Sequence, residues 1–205
     1  MKISYSILTH NETNSLEKLL KFLIKWKQPE DEIVILDDYS DDKKTKQLLD
    51  FYVSAHNIVF EQRNLLGDFA SQKNHLKSMC SGDYSFNLDA DEMISLWLIK
   101  NIHSIVEENE IDLIYLPRIN TVEGLTQEHI EKWQWGVNDL GWVNFPDFQW
   151  RIYKNNNSIK WVNQVHEVLV GYRTISYLPT LEEWCLRHDK TIERQERQNK
   201  LYNEL

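Results

Sequence analysis

Two acidic residues separated by a single position could hold a metal ion. Asp89 and Asp91 follow an apolar segment at residues 84–88. Two carboxylates with this spacing in a loop can face one hard divalent cation, Mg²⁺ or Mn²⁺, which prefers oxygen ligands. Such a cation neutralises phosphate oxygens and stabilises the charge that develops on a departing diphosphate. The spacing is also common in solvated turns, so its meaning depends on the elements around it.

Polar residues also follow two earlier apolar segments of the chain. Residues 3–9 and 32–36 are short and rich in β-forming side chains, which predicts buried strands. The first leads into polar residues 10–12, and the second leads into the acidic run 37–42. Ligands of parallel α/β sheets bind beyond the carboxyl ends of the strands. We therefore expect both polar segments to lie near residues 89–91.

Helical patterns separate these strands. Leu16, Leu19 and Leu23 have helical spacing, with Ser15 as the expected N-cap and Pro29 beyond the helix. The other predicted elements are a helix through Leu48, Leu49 and Tyr52, a strand at 58–60, a helix at 69–79, strands at 84–88 and 111–116, and a helical tail from Thr191. Strands that alternate with helices predict an α/β fold with a mostly parallel sheet and right-handed crossovers.

The composition argues against several classes of protein. With 205 residues and a net charge of −9, the chain has the length of one domain and is unsuited to broad polyanion binding. Cys80 and Cys185 are far apart, so we expect reduced thiols in a cytoplasmic protein, not a zinc site or a disulfide framework. We expect no signal peptide and no transmembrane segment, because no apolar run approaches the roughly 20 residues that span a bilayer.

An aromatic stretch occupies residues 121–163. Its five tryptophans are Trp133, Trp135, Trp142, Trp150 and Trp161. Aromatic faces stack on sugar rings and on extruded nucleobases, so the stretch could line an acceptor site. Tryptophans are also packing residues, and we expect at least half of these five to serve in that way.

Six segments, taken in order, carry a resemblance to a known family. They are residues 8–12, 33–41, 69–74, 87–92, 161–167 and, more loosely, 187–190. Together they resemble glycosyltransferase family 2, and most closely its small bacterial and viral members related to lipopolysaccharide-core glucosyltransferases. The resemblance implies a GT-A type, Rossmann-like single domain that transfers a sugar from a nucleotide-sugar donor, expected to be a UDP-sugar, with inversion. Tyr39 stands where the family usually has Gly, and Lys73 where it usually has Arg.

The resemblance also implies roles for individual residues. The expected donor-binding residues are Thr9, His10, Asn11, Glu12, Asp37, Asp38, Lys73, Asn74, Asp89 and Ala90. Asp37 or Asp38 would accept hydrogen bonds from the base or ribose, and Lys73 would offset diphosphate charge. The expected ligands of a Mn²⁺ or Mg²⁺ ion are Asp91, Asp89 and His188. Residues 1–92 would form the nucleotide-sugar-binding half of the domain, and residues 93–205 the acceptor-binding half.

An inverting transferase needs a base to deprotonate the acceptor hydroxyl. Glu167 is the first candidate, because a carboxylate between apolar residues can lie at the edge of a cleft with a raised pKa. Asp147 is the second candidate. His166 could instead contact the donor or the acceptor.

Other functions stay open at this point. The chain could be an inactive nucleotide-sugar-binding or glycan-binding module that keeps the fold. A nucleotidyltransferase would usually have a Gly-rich loop with Arg and Lys after its first strand, and residues 9–12 offer none. The acceptor could be an envelope saccharide or a hydroxymethylated base in DNA, although the negative charge makes the second harder.

Overall fold

The computed structural model describes residues 1–204, apart from the side chains of residues 109 and 201–204. The strands are β1 (Ile3–Thr9), β2 (Glu32–Asp37), β3 (Val59–Gln62), β4 (Tyr84–Asp89), β5 (Glu92–Ile94), β6 (Leu113–Glu123), β7 (Asp147–Lys154), β8 (Lys160–Val162), β9 (Val168–Val170), β10 (Ile175–Tyr177) and β11 (Leu186–Thr191). The helices are α1 (Thr13–Trp26), α2 (Lys43–His56), α3 (Phe69–Met79), α4 (Leu96–Asn109), α5 (Gln127–Trp133) and α6 (Ile192–Glu204), with a 3₁₀ turn at Glu182–Trp184.

Within the described residues, one large sheet has the strand order β3-β2-β1-β4-β7-β6-β11-β5, with β10 also paired to β6. The strands β1 to β4 run parallel to one another, while β7 is antiparallel to both β4 and β6. The strands β10 and β11 run parallel to β6, and β8 with β9 forms a separate hairpin. The predicted α/β fold with a mostly parallel sheet is confirmed.

The buried strands explain the apolar segments of the sequence. Tyr5, Ile7, Leu36 and Phe86 have no exposed surface, because β1, β2 and β4 are covered on both faces. The predicted bounds of β1 and α3 are confirmed. The N-cap predicted at Ser15 is wrong, since α1 begins two residues earlier.

One hydrophobic core extends through both halves of the chain. Its buried members include Ile7 of β1, Leu19 of α1, Ile102 of α4, Ile114 of β6 and Leu186 of β11. A second cluster lies beneath the β8–β9 hairpin and includes Leu113, Tyr153, Trp161 and Leu169. Since β7 inserts between β4 and β6, residues from the second half complete the sheet that the first half begins.

The strand β6 continues well beyond the predicted segment 111–116. Its first part pairs with β7, and its second part, from Arg118 to Glu123, pairs with β11 near the end of the chain. This extension brings polar residues of β6 beside β11. No helix among residues 1–204 has the length and hydropathy needed to cross a membrane.

Candidate active site

A cleft of about 750 Å³ opens beyond the carboxyl ends of β1 and β4. Its walls include Asp89, Asp91, Lys73, Glu167, His188 and Arg194. An adjoining pocket of about 200 Å³ continues towards β2 and is lined by Leu8, Thr9, Asp38, Phe69 and Ala90, among others. The expected convergence of polar strand ends is thus seen in the structure.

The smaller pocket offers polar groups between apolar walls. Thr9 lines this pocket, and its hydroxyl is buried and has no hydrogen-bond partner within the described residues. Asp38 faces the pocket and accepts a hydrogen bond from the Leu65 amide at 2.8 Å. His10 donates from Nδ1 to the Asp38 carbonyl oxygen at 2.7 Å. This combination suits a ring with polar edges.

Asp37 has a different place from Asp38. It is fully buried, and its carboxylate accepts hydrogen bonds from Ser40 Oγ at 2.5 Å, Ser40 N at 2.9 Å and Gln62 Nε2 at 2.9 Å. It lies outside the lining of both cavities. Of the two carboxylates considered from the sequence, only Asp38 reaches the pocket.

The turn after Asp38 explains the family's preference for glycine. Tyr39 has a φ of +44°, in the left-handed region that glycine adopts without steric cost. Its side chain is 51% exposed, so the ring points away from the core. Asn11 braces the same turn, because its Oδ1 accepts the amides of Asp41 and Asp42, both at 3.0 Å.

A buried cluster of charges lies under Asp89. Arg151 Nη2 lies 2.6 Å from Asp89 Oδ2 and 2.5 Å from Glu92 Oε1, and Arg118 Nη1 lies 2.8 Å from the same Glu92 oxygen. Burial alone would raise the pKa of Asp89, but Arg151, Lys73 and Arg118 hold it well below its usual range. Glu92 has no exposed surface. Asp89 is therefore an ionised carboxylate held at the floor of the cleft.

Glu92, Arg118 and Arg151 were not predicted from the sequence as site residues. A signal was present, because Arg118 and Arg151 each interrupt an apolar strand segment. A charged side chain in such a place is almost never buried without a partner. The partners come from distant segments, and only the sheet pairing reveals them.

Asp91 and His188 meet in the cleft, 97 residues apart in the chain. His188 Nε2 lies 2.9 Å from Asp91 Oδ2. Arg194 of α6 reaches the same oxygen at 2.8 Å and also binds Glu12 with a nitrogen–oxygen distance of 2.9 Å. Burial raises the pKa of Glu12 despite the opposing charge of Arg194. The expected pair Asp91 and His188 is thus brought together, with a guanidinium beside it.

The three predicted metal ligands do not form one three-residue cluster in the structure. Across residues 1–204, no group of three or more His, Cys, Asp or Glu side chains is arranged to hold a metal ion. Asp91 and His188 are adjacent, whereas Asp89 directs Oδ2 to Arg151. The Asp89 side chain keeps 38% of its surface exposed, so it still faces the cleft.

Lys73 and Glu167 form an ion pair on another wall of the cleft, with 2.5 Å between Nζ and Oε1. The ammonium also lies 4.4 Å from the ring centre of Trp161, within range of a cation–π interaction. Asn74 exchanges two hydrogen bonds with the Trp161 backbone, at 2.8 and 2.9 Å. Asn74 thus fastens β8 to α3 and lies outside the lining of the cleft.

The contacts of Asp147 do not suit the second candidate for the base. Oδ2 accepts hydrogen bonds from Arg118 Nε and Asn120 Nδ2, both at 2.9 Å, and Oδ1 accepts one from Gln149 at 2.6 Å. Burial alone would raise the pKa of Asp147, but Arg118 and the two amides hold it below its usual value. A base needs a free lone pair and a matched pKa. Asp147 is instead a structural carboxylate beside the cleft.

Some of the five tryptophans pack in a hydrophobic cluster, and others are half-buried at the surface. Trp161 is buried, and Trp150 packs against the same cluster and donates from Nε1 to the Tyr115 hydroxyl. Trp133 and Trp135 are half-buried, with ring centres 4.7 Å apart. Trp135 also lines a separate pocket of about 240 Å³.

Comparison with solved structures identifies the same architecture. The crystal structure of S. aureus TarS 1–349 matches with a TM-score of 0.65 and 20% sequence identity, over 92% of this chain and 60% of that one. The same TarS fragment in complex with UDP matches with a TM-score of 0.66, over 92% and 60% of the two chains, again at 20% identity. Its complex with UDP-GlcNAc gives 0.64 and 20% identity, over 93% and 59%. The chain therefore spans about three fifths of these relatives. No curated protein sequence matches the chain.

The sequence profile described as glycosyl transferase family 2 matches residues 4–174. This match covers β1 to β9 and includes most of the cleft. The resemblance seen in the sequence is confirmed: the chain belongs to glycosyl transferase family 2.

Proposed function

We propose that this chain transfers a sugar from a UDP-sugar to an acceptor hydroxyl, with inversion and with the help of Mn²⁺ or Mg²⁺. The proposal rests on one observation: two pairs of residues line the same cleft. Asp91 with His188 forms one pair, and Lys73 with Glu167 forms the other. The first suits a cation that holds a diphosphate, and the second suits deprotonation of an acceptor.

The donor nucleoside would occupy the smaller pocket. Asp38 would accept hydrogen bonds from the base or ribose, and Thr9 would form part of the wall beside it. Ala90 and Phe69 supply apolar contact. The UDP and UDP-GlcNAc complexes of the structurally similar TarS fragment support a uridine nucleotide.

The residues around Asp91 fit a divalent cation by their chemistry. A carboxylate and an imidazole suit Mn²⁺, and Mg²⁺ or Mn²⁺ is often held by one or two carboxylates together with substrate phosphates. Asp91 and His188 would be ligands, and Asp89 would contact the cation or the donor ribose. When bound, the cation would offset charge on the departing diphosphate.

The proposed transfer uses Glu167 as the base. Glu167 accepts the proton of the acceptor hydroxyl, whose oxygen attacks the anomeric carbon while the bond to the diphosphate breaks. Lys73 and Arg194 line the same cleft and offset charge on the leaving group. An attack from the face opposite the leaving group inverts the anomeric centre.

We propose a saccharide acceptor and a cytoplasmic location. The net charge of −9 disfavours DNA, and half-buried rings such as Trp135 suit stacking on sugar. Cys80 and Cys185 are both buried free thiols, which agrees with a reducing compartment.

Hydrolysis and transfer of UDP-sugars, measured by mass spectrometry with saccharide and hydroxymethylated-DNA acceptors, test the proposal. We expect activity that a chelator removes and that Asp91→Asn abolishes, with circular dichroism unchanged. Asp189→Asn is the matched control, because this acid is exposed on β11 next to His188. Donor binding without hydrolysis or transfer would instead favour an inactive binding module. Transfer to DNA alone would overturn the acceptor class.

A further inference from the structure

A line of close polar contacts connects Asp147 to Asp91 through two intervening side chains. Asn120 Nδ2 lies 2.9 Å from Asp147 Oδ2, and Asn120 Oδ1 lies 2.9 Å from His188 Nδ1. His188 Nε2 then lies 2.9 Å from Asp91 Oδ2. The sheet register produces this arrangement, because Asn120 of β6 and His188 of β11 are direct cross-strand partners.

The chemistry of these groups determines where the hydrogen atoms lie. Arg118 and its neighbouring amides hold the pKa of Asp147 low, so its carboxylate is ionised and only accepts hydrogen bonds. The NH₂ of Asn120 must then face Asp147, which turns the amide oxygen of Asn120 towards His188. An amide oxygen also only accepts, so His188 Nδ1 must carry a hydrogen. In the neutral ring, Nε2 is left with a lone pair directed at the Asp91 carboxylate.

We infer that Asn120 is a positioning residue that selects the Nδ1–H tautomer of His188, and that Asp147 sets the orientation of Asn120. In the neutral ring, Nε2 of His188 and Oδ2 of Asp91 are then both electron-pair donors, and a divalent cation bound between them would satisfy both, in place of the Arg194 guanidinium that lies 2.8 Å from Oδ2. Hydrogen bonds to the second nitrogen commonly decide which nitrogen of a histidine is free to bind a metal. The inference stands on contacts within the chain, and it gives the cation of the proposed function a nitrogen ligand.

Nitrogen NMR of ¹⁵N-histidine-labelled protein tests the tautomer without any metal. The His188 signals are assigned by their loss in His188→Gln, in mildly alkaline buffer where imidazoles are neutral. We expect the wild-type hydrogen on Nδ1. In Asn120→Leu we expect it on Nε2, where Asp91 accepts it. The double variant Asn120→Asp with Asp147→Asn exchanges the two groups, so that an oxygen still faces Nδ1 and a donor still faces residue 120, and it should retain the wild-type tautomer.

Thr121→Val is the matched control, because Thr121 is the next residue of β6 and loses a comparable hydrogen bond, to Asp189 at 2.5 Å. It should leave the His188 tautomer unchanged. A wild-type hydrogen on Nε2, or an unchanged tautomer in folded Asn120→Leu, would overturn the inference. If Asn120→Leu does not fold, the spectra of the wild type and of the double variant Asn120→Asp with Asp147→Asn decide the question.

Affinity for Mn²⁺, measured by electron paramagnetic resonance, provides a second test. We expect Asn120→Leu to weaken binding about 10–100-fold, the scale seen when an outer partner of a metal ligand is lost. Thr121→Val should bind as the wild type does. A wild-type protein with the Nδ1–H tautomer and no affinity for Mn²⁺ would support the role of Asn120 and refute the cation in the proposed function.

Discussion

The ammonium of Lys73 and the carboxylate of Glu167 lie 2.5 Å apart, although 94 positions separate them in the chain. Both side chains are largely buried, with 9% and 18% of their surfaces exposed. The ion pair joins α3 to the segment that precedes β9, so it fixes the position of Glu167 in the cleft.

We expect Glu167→Gln to lower kcat about a hundredfold or more while donor affinity stays nearly unchanged, because a general base acts only in the chemical step. Steady-state kinetics and UDP titration measure the two quantities. Glu61→Gln is a matched control, since Glu61 pairs with His75 at 2.7 Å on the exposed surface. A collapse of donor affinity in Glu167→Gln would make this residue a binding group and not the base.

We expect Arg194→Gln to strengthen Mn²⁺ binding by about tenfold, which corresponds to about 1.4 kcal/mol. The guanidinium now occupies Asp91 Oδ2, and its removal frees that oxygen and removes a competing charge. Calorimetric titration measures the effect. Arg197→Gln is the control on the same helix, because Arg197 lines the same cleft, whereas the ion pair with Asp91 is made by Arg194. Unchanged or weaker binding in Arg194→Gln would argue against a cation at Asp91.

We expect Trp135→Ala to raise the apparent KM for the acceptor about five- to hundredfold, the scale of losing one stacking contact of 1–3 kcal/mol. Hydrolysis of the donor should persist, because Trp135 lines an adjoining pocket and not the donor cleft itself. Trp133→Ala, which removes the neighbouring ring, should act in the same direction.

Thermal melting decides between an acceptor wall and simple packing. Truncation of a core tryptophan typically costs about 3–5 kcal/mol of stability, so the melting temperature and both activities would fall together. Such a result in both variants would leave residues 121–163 as packing.

We expect Glu32→Gln to destabilise the protein most at neutral pH. Hydrogen bonds from Lys2, Ser4 and Ser81 outweigh the effect of burial and lower the pKa of Glu32 to about 2. Because this lies below the unfolded value of about 4.3, the ionised form contributes stability that is fully present above pH 4.3. The contribution disappears as the pH falls towards 2.

Urea unfolding of wild type and Glu32→Gln across this pH range measures the effect. The difference between them should narrow steadily as acid is added. Glu30→Gln, at an exposed neighbouring position, should show little difference at any pH. A constant gap between the wild type and Glu32→Gln would show that burial, and not ionisation, determines the role of Glu32.

The local pattern of the sequence predicted the first half of the fold well. Strands such as β1 and helices such as α3 have periodicities that depend only on neighbouring residues. The convergence of polar strand ends in one cleft also followed, because parallel strands end at one edge of the sheet. The sequence did not predict which of Asp37 and Asp38 faces the pocket, because that depends on which carboxylate accepts the hydrogen bonds of Ser40.

The second half depended on long-range pairing that periodicity does not encode. Arg118 meets Asp147 because β6 and β7 pair antiparallel, and Asn120 meets His188 because β6 and β11 pair parallel. The two residues of each pair lie in different segments, so their spacing along the chain does not predict the contact. His188 was found only through the family resemblance.

The insertion of β7 between β4 and β6 bears on how such a protein can change its substrate during evolution. The part of the sheet formed by residues 1–92 is completed when β4 pairs with β7, through Tyr84 with Lys154 and Phe86 with Ile152. Recombination that brought in a block without a strand matching β7 would leave β4 without its neighbour and expose an unpaired, aggregation-prone edge. Any change of substrate during evolution must therefore keep β4 and β7 paired.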